Sequence, residues 1–453
     1  MVTETTRALR QRQTALVSAG FAPASFLVSA AVVVVLGFIL LPAAPGIAQS
    51  RVDGEVTAIN ALLWDGDAQE AGLLGLGEGE FDLRSERDRN VQGRLTLRAS
   101  LLKAAAESEE GAETDDGTGG PSASGAASAA VISMPRASVR FRFPVTENYS
   151  MRVTAGRDRV SWGTGRLFNA ADVIFGAEGT QTADFLEITD DLRDETAWLT
   201  AFYVPLGDYA YLEPVVLPPL PSLMTSGTGE GTDGGDGETG TGGAGITGAV
   251  VAGADVPDIS RTRAGGRVSF EVARFTFEPG YFYDGFRERH ELVLGAAGLL
   301  GIDVYGAARL SLDEGMSAGD FTDREKLGDR SVLSLGAYHR ARVGTQANVD
   351  ARLEVLLRPG AAWSDRGAPD AEYALLVYPE LIYTPIRTVA LVGRSVISPI
   401  DRSALLSAGV NWNVFGGFDL LAFASAQAGD RDAVFAWARP GGAALLTGFA
   451  YRF

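Results

Sequence analysis

The 453-residue chain contains no cysteine, which excludes disulfides and thiolate-bound metals and leaves its stability to backbone pairing and packing. It has only two histidines, His290 and His339. Neither belongs to a metal-spaced pair, and no serine elbow or Walker loop is present. His290 lies in Arg287-Glu288-Arg289-His290-Glu291 and reads as a loop side chain, so no enzyme activity, cofactor or metal is expected. Positive charge is in deficit, with 39 Lys and Arg against 57 Asp and Glu and a formal net charge of −18. That balance excludes the basic face a nucleic-acid partner requires. Beyond residue 41 no apolar run approaches the roughly 20 residues of a membrane helix. The mean hydropathy of +0.07 is likewise too polar for a helical membrane protein.

The one long apolar run stands at the start. Arg7, Arg10 and Arg12 precede Phe26 to Leu41, and small residues at Gly46 and Ala48 come before Gln49. This is the order of a cleaved signal peptide over residues 1–48. The alternative is a retained anchor, for which the run is slightly short.

Downstream the hydrophobic period is two rather than 3.6. Leu95, Leu97, Ala99 and Leu101 alternate with Arg94, Thr96, Arg98 and Ser100. Leu333, Leu335 and Ala337 alternate with Ser334, Gly336 and Tyr338, and Val349, Leu353 and Val355 alternate with Asp350, Arg352 and Glu354. Such runs of about ten residues match tilted strands crossing hydrocarbon. About 16 can be placed between residues 91 and 453, joined alternately by tight turns and long loops, which is the asymmetry of an outer-membrane barrel. A soluble β-sandwich has no reason to sort its loops this way. The reading is an all-β, antiparallel, up-and-down transmembrane β-barrel over residues 91–453, in the cell outer membrane and in contact with its lipid. Residues 49–90 are an N-terminal segment: periplasmic, a plug, or extra strands that would raise the count to 18. Aromatic residues, among them Phe143, Tyr203, Tyr211, Tyr383, Trp412, Phe415 and Phe418, crowd the tight-turn side as an interfacial girdle would.

If the apolar parity faces lipid, the lumen receives Arg94, Arg98, Arg136, Arg140, Arg142 and Arg152 from the first three of these strands, with no acid among them. Arg263, Arg267, Arg309, Arg340, Arg342 and Arg352 follow, along with acids such as Glu271, Glu278, Asp303, Asp350 and Glu354. This predicts a pore-lining basic stripe that favours anions. The acidic tracts at 107–116 and 230–238 read instead as solvated loops.

One motif stands apart. Residues 156–172 carry Arg157, Arg159, Trp162, Gly163, Gly165, Arg166, Asn169 and Asp172 at the exit of a strand and the start of a long loop. Glycines around a tryptophan permit a sharp bend, and Asn169 and Asp172 can cap a short turn. The segment is expected to anchor the loop or to fold into the lumen and narrow it. The pattern G-R-x4-W-G-x-G followed by N-x-x-D resembles that of porin-like outer-membrane proteins of Gram-negative and spirochaete-type bacteria, some related to polysaccharide-export channels. Those proteins usually have proline after the asparagine, where this chain has Ala170. The C-terminal strand carries a second resemblance, with Phe449, Tyr451 and the terminal Phe453 at alternate positions. In outer-membrane barrels such an ending is a signal to the barrel-assembly machinery.

The expected function is a channel for passive diffusion of small hydrophilic, including anionic, solutes, with a homo-oligomer compatible. The alternatives are a structural or surface-interaction barrel, adhesin-like, and an export channel for a polymer or hydrophobic solute.

Overall fold

A computed structural model describes residues 50–65, 70–85, 90–104, 127–180, 183–185, 192–193, 195–219, 259–313, 327–328, 330–359, 375–430, 433, 435 and 442–453. The signal-peptide expectation and both acidic tracts lie outside them.

The described residues form 18 antiparallel strands in one sheet. The first half comprises β1 (Ser50–Asp65), β2 (Glu70–Ser85), β3 (Val91–Ala104), β4 (Ala127–Pro144), β5 (Ser150–Asp158), β6 (Ala197–Pro205), β7 (Ala210–Leu217), β8 (Arg263–Val272) and β9 (Phe275–Asp284). The second comprises β10 (Arg289–Leu299), β11 (Asp303–Asp313), β12 (Ser331–Val343), β13 (Ala347–Leu357), β14 (Leu375–Ile386), β15 (Val389–Ser398), β16 (Ser403–Phe415), β17 (Phe418–Ala428) and β18 (Ala443–Arg452). Each strand pairs with its neighbours in sequence, and β1 pairs with β18, so the sheet closes. Closure leaves no open edge, which is what a strand protein needs where no water can satisfy backbone groups.

The count is therefore the higher of the two expected, because residues 50–85 supply β1 and β2. These strands complete the ring. Gly54 and Phe453 exchange both backbone hydrogen bonds at 2.9 Å, and Arg452 reaches Glu55 at 2.8 Å. The ring of Phe453 lies over Gly54 and meets Phe81 edge-on, with centroids 6.3 Å apart.

The parity expected from sequence holds in the strand register. Leu294, Leu335, Leu353, Leu381, Leu406 and Leu445 point outward and are exposed by 44–66%. With Leu62, Ile132 and Val216 exposed on β1, β4 and β7, apolar side chains face outward on every side of the closed wall, the surface of a barrel solvated by hydrocarbon. Phe143, Tyr383, Trp412, Phe415, Tyr451 and Phe453 form the outward aromatic rim at the tight-turn end. Tyr203 and Tyr211 are corrections to the girdle. They share the register of Arg152, Ser269 and Glu213 and so point inward, where their rings pack 4.7 Å apart.

Candidate functional site

The lumen is shaped by the segment between β5 and β6. It turns inward and packs on wall residues of the inward parity. Trp162, Ala171 and Ile174 pack with Leu199, Ala201, Val215, Phe282 and Val293. Leu167, Phe168, Ala170 and Leu192 pack further round, with Val332, Leu356, Leu376, Tyr378 and Val396. Trp162 is 1% exposed and meets Phe282 edge-on, with centroids 5.9 Å apart. The loop thus covers the half of the wall from β6 to β15.

Its internal geometry follows from the motif. Gly163 has φ +83°, a left-handed conformation that L side chains rarely adopt. At Gly165 a Cβ would collide with the Phe168 carbonyl. Asn169 donates from Nδ2 to the Trp162 carbonyl at 2.6 Å, and its Oδ1 accepts the Ala171 N–H at 3.2 Å. Asp172 accepts the Phe175 N–H at 3.1 Å, so both residues act as turn caps. Arg193 is buried and ties the two limbs together. It lies 3.5 Å from Asp172 and 3.0 Å from Glu195, and donates to the Gly176 carbonyl at 3.0 Å. Burial pushes the Asp172 carboxyl up to about 6, against the pull of Arg193. Burial also raises Glu178, against Thr180 and Arg358.

Wall side chains hold the loop. Glu354 on β13 is fully buried and accepts three successive backbone N–H groups, from Arg166 at 2.7 Å, Leu167 at 2.8 Å and Phe168 at 2.9 Å. It also accepts the Tyr305 hydroxyl at 2.5 Å and lies 3.4 Å from Arg352. Ser334 Oγ accepts the Ala170 N–H at 2.9 Å, and Glu278 accepts that of Gly163 at 3.1 Å. Arg166 reaches Glu380 at 3.2 Å, and Arg394 donates to the Phe185 carbonyl at 3.1 Å. Of the motif, Arg157 sits instead on the outward parity of β5 and donates to Thr196. Arg159 is held within the loop by the Arg193 carbonyl.

The arginines expected to line the pore divide into groups. Arg267, Arg309 and Arg352 are a correction, since they lie against the covered half and are engaged there. Arg267 pairs with Glu213 at 2.7 Å and Glu278 at 2.8 Å. Arg309 is 3.9 Å from Glu291, and Arg352 lies 3.6 Å from Glu380 and over the Tyr338 ring. Arg94 and Arg98 do face the open lumen, but β2 neutralises them. Asp82 meets Arg94 at 2.8 Å, and Glu80 meets Arg98 at 2.7 Å. The excess expected over the first strands is smaller for that reason. Arg136 sits half-buried on the inward face opposite Thr96. Arg340 pairs with Asp350 at 2.5 Å. Arg140, Arg142, Arg152 and Arg342 remain, and among the described residues no carboxylate lies within 4.0 Å of any of their guanidiniums. Arg140 donates to Thr154 at 3.4 Å, and Arg152 stacks over Tyr203 at 4.1 Å. Arg142 and Arg152 are direct cross-strand partners.

Sequence reasoning singled out Glu278 and Glu354 as inward acids but not as anchors of the loop. It missed Arg193, Ser334, Glu380 and Arg394, and it missed Glu78, Glu80 and Asp82. His290 is a strand residue rather than a loop residue. It lies on the outward parity of β10 beside Tyr281 and Tyr283, with the Tyr281 hydroxyl 2.7 Å from Nδ1. Among the described residues no group of His, Asp and Glu could hold a metal ion.

No family model matches the chain, and no curated protein does. Among solved structures it is similar to OccK7 (OpdD) of Pseudomonas aeruginosa, at 11% identity over 90% of this chain and 99% of that one, TM-score 0.46. It is similar to OpdQ of the same organism at 8% identity over 89% and 98%, TM-score 0.47. A triple mutant of the Rhodopseudomonas blastica porin is 13% identical over 89% and 100%, TM-score 0.36. At these scores the likeness carries no argument about solute or mechanism, and the fold rests on the strand pairing itself.

Proposed function

We propose that the protein is an outer-membrane channel for passive diffusion of small hydrophilic solutes, and that its passage favours anions. The location is supported by the closed wall with its apolar outer surface, aromatic rim and paired terminal phenylalanine. The channel reading is supported by the division of the lumen, half covered by the inturned loop and half lined by charged side chains of β1 to β5.

The observation that carries the anion preference is the contrast among the arginines. Those against the loop-covered wall are matched by carboxylates, whereas Arg140, Arg142 and Arg152 are clustered on β4 and β5 without one. Two guanidiniums in direct cross-strand register repel each other, and an anion between them relieves that repulsion. Reversal potentials of single channels in a potassium chloride gradient test the reading. A chloride permeability above that of potassium is expected. Well-folded protein that gives no conductance steps would remove the channel, and a cation preference would remove the selectivity.

A further inference from the structure

The loop leaves the wall at β5 and returns at β6, two neighbouring strands. Its central turn, however, is seated far round the ring on β12 to β14. No covalent bond holds it there. The seat is made by side chains, and one of them differs from the rest. Among the described residues Ser334, Glu278 and Glu380 each accept one hydrogen bond from the loop, and Arg394 donates to the Phe185 carbonyl. Glu354 receives three, from consecutive backbone N–H groups that converge on a single carboxylate. Consecutive N–H groups turned to one side form an anion-binding concavity, and here the anion is supplied by the barrel wall.

We propose that Glu354 is the latch of the inturned loop, a positioning residue whose carboxylate keeps residues 162–180 on the wall and thereby sets the width of the passage. Two features point to it rather than to the apolar contacts alone. Glu354 is itself 0% exposed, and Leu167 and Phe168 are no more than 1% exposed, so no water replaces the carboxylate if it is lost. Its own charge is supported from behind, by the Tyr305 hydroxyl at 2.5 Å and Arg352 at 3.4 Å. Tyr305 and Arg352 project from β11 and β13 and bond to Glu354 and to each other, so they fix the latch rather than the loop. A neutral amide at this position would turn N–H donors toward N–H donors, which the apolar packing of Leu167 and Phe168 does not offset.

The width readout rests on the channel reading, so the test has a second arm that does not. Glu354→Gln is compared with the unaltered protein by single-channel conductance and by hydrogen exchange of the amides of residues 166–168. The expected result is a barrel that still resists unfolding in cold detergent, a conductance raised at least about twofold, and lost protection at those three amides. Because the chain has no cysteine, the pair Ala170→Cys with Ser334→Cys introduces a clean tether at the 2.9 Å contact. In the Glu354→Gln background the oxidised tether is expected to restore the original conductance, and reductant to raise it again. The oxidised form also supplies a folded sample if Glu354→Gln alone does not assemble. Unchanged protection and unchanged conductance in a folded Glu354→Gln barrel would overturn the proposal. Should neither protein conduct, the channel reading fails while the exchange arm still decides the latch.

Discussion

Arg142 on β4 and Arg152 on β5 are antiparallel partners on the inner face of the wall, like charges held in direct register. Their neighbourhood explains how the pair is tolerated. Arg142 is exposed to the lumen, and Arg152 rests on the face of Tyr203 at 4.1 Å, where the ring quadrupole attracts it. Replacing both by glutamine is expected to lower the ratio of chloride to potassium permeability roughly two- to threefold, with a weaker dependence on ionic strength. Arg340→Gln combined with Asp350→Asn is the control, since it removes a pair that is already neutral. Reversal potentials decide the matter, and a double variant as anion-selective as the original would count against the role given to the pair.

Trp162 is buried under the loop against Phe282. Trp162→Ala removes that packing at a cost of about 3–5 kcal/mol, borne by the loop rather than by the strands. Hydrogen exchange should speed up across residues 162–176 while the strand amides keep their protection. Equal loss of protection in β12 and β13 would mean that loop and barrel unfold as one unit.

The pH dependence of the loop has a definite sign. The Asp172 carboxyl releases its proton at about 6 in the seated loop, against an ordinary 3.8. The seated form therefore binds that proton more tightly than the unseated form. The associated stability is complete below about 3.8 and is lost as pH rises through about 6. Glu178 is raised in the same direction by burial. Protection factors of the amides of residues 169–177, corrected for intrinsic exchange, should rise on acidification from about pH 7 to about pH 5, and Asp172→Asn with Glu178→Gln should flatten the profile. A fall on acidification is the contrary result.

Gly54 lies under the ring of Phe453, so any Cβ there meets the ring atoms. Gly54→Val is expected to impair closure, visible as a smaller folded fraction by the shift in electrophoretic mobility on heating. Phe453→Ala should impair it less, because the backbone bonds between residues 54 and 453 remain.

A chain beginning at residue 86 lacks β1 and β2. Strands β3 and β18 would then be left as unpaired edges in hydrocarbon, and no heat-resistant fold is expected. Assembly of that truncation to a conducting barrel would show that a 16-stranded ring closes on its own.

The first two strands show why residues 49–90 resisted reading. In β2 three successive outward positions between Leu73 and Phe81 are Gly75, Gly77 and Gly79, so no apolar side chain flanks Leu76 and Glu78 on the outer face. In β1 the inward positions include Ile59, Ala61 and Leu63 while Val56, Leu62 and Trp64 face outward, so both faces are apolar and the usual contrast is lost. Where outward leucines faced inward arginines, as in β3 and β12, parity could be read directly.

The sequence by itself determined the kind of wall: period two, apolar outside and polar inside, with an aromatic rim and a final strand ending on phenylalanine. Those are local properties, set by which side chain alternates with which. Only the tertiary structure decided which arginines are free and where the motif goes. An ion pair such as Arg98 with Glu80 depends on strand register, and the seat of Phe168 on Glu354 joins residues 186 positions apart. Closing the ring fixes both at once, because each strand's register sets its neighbour's, and no local pattern carries that information.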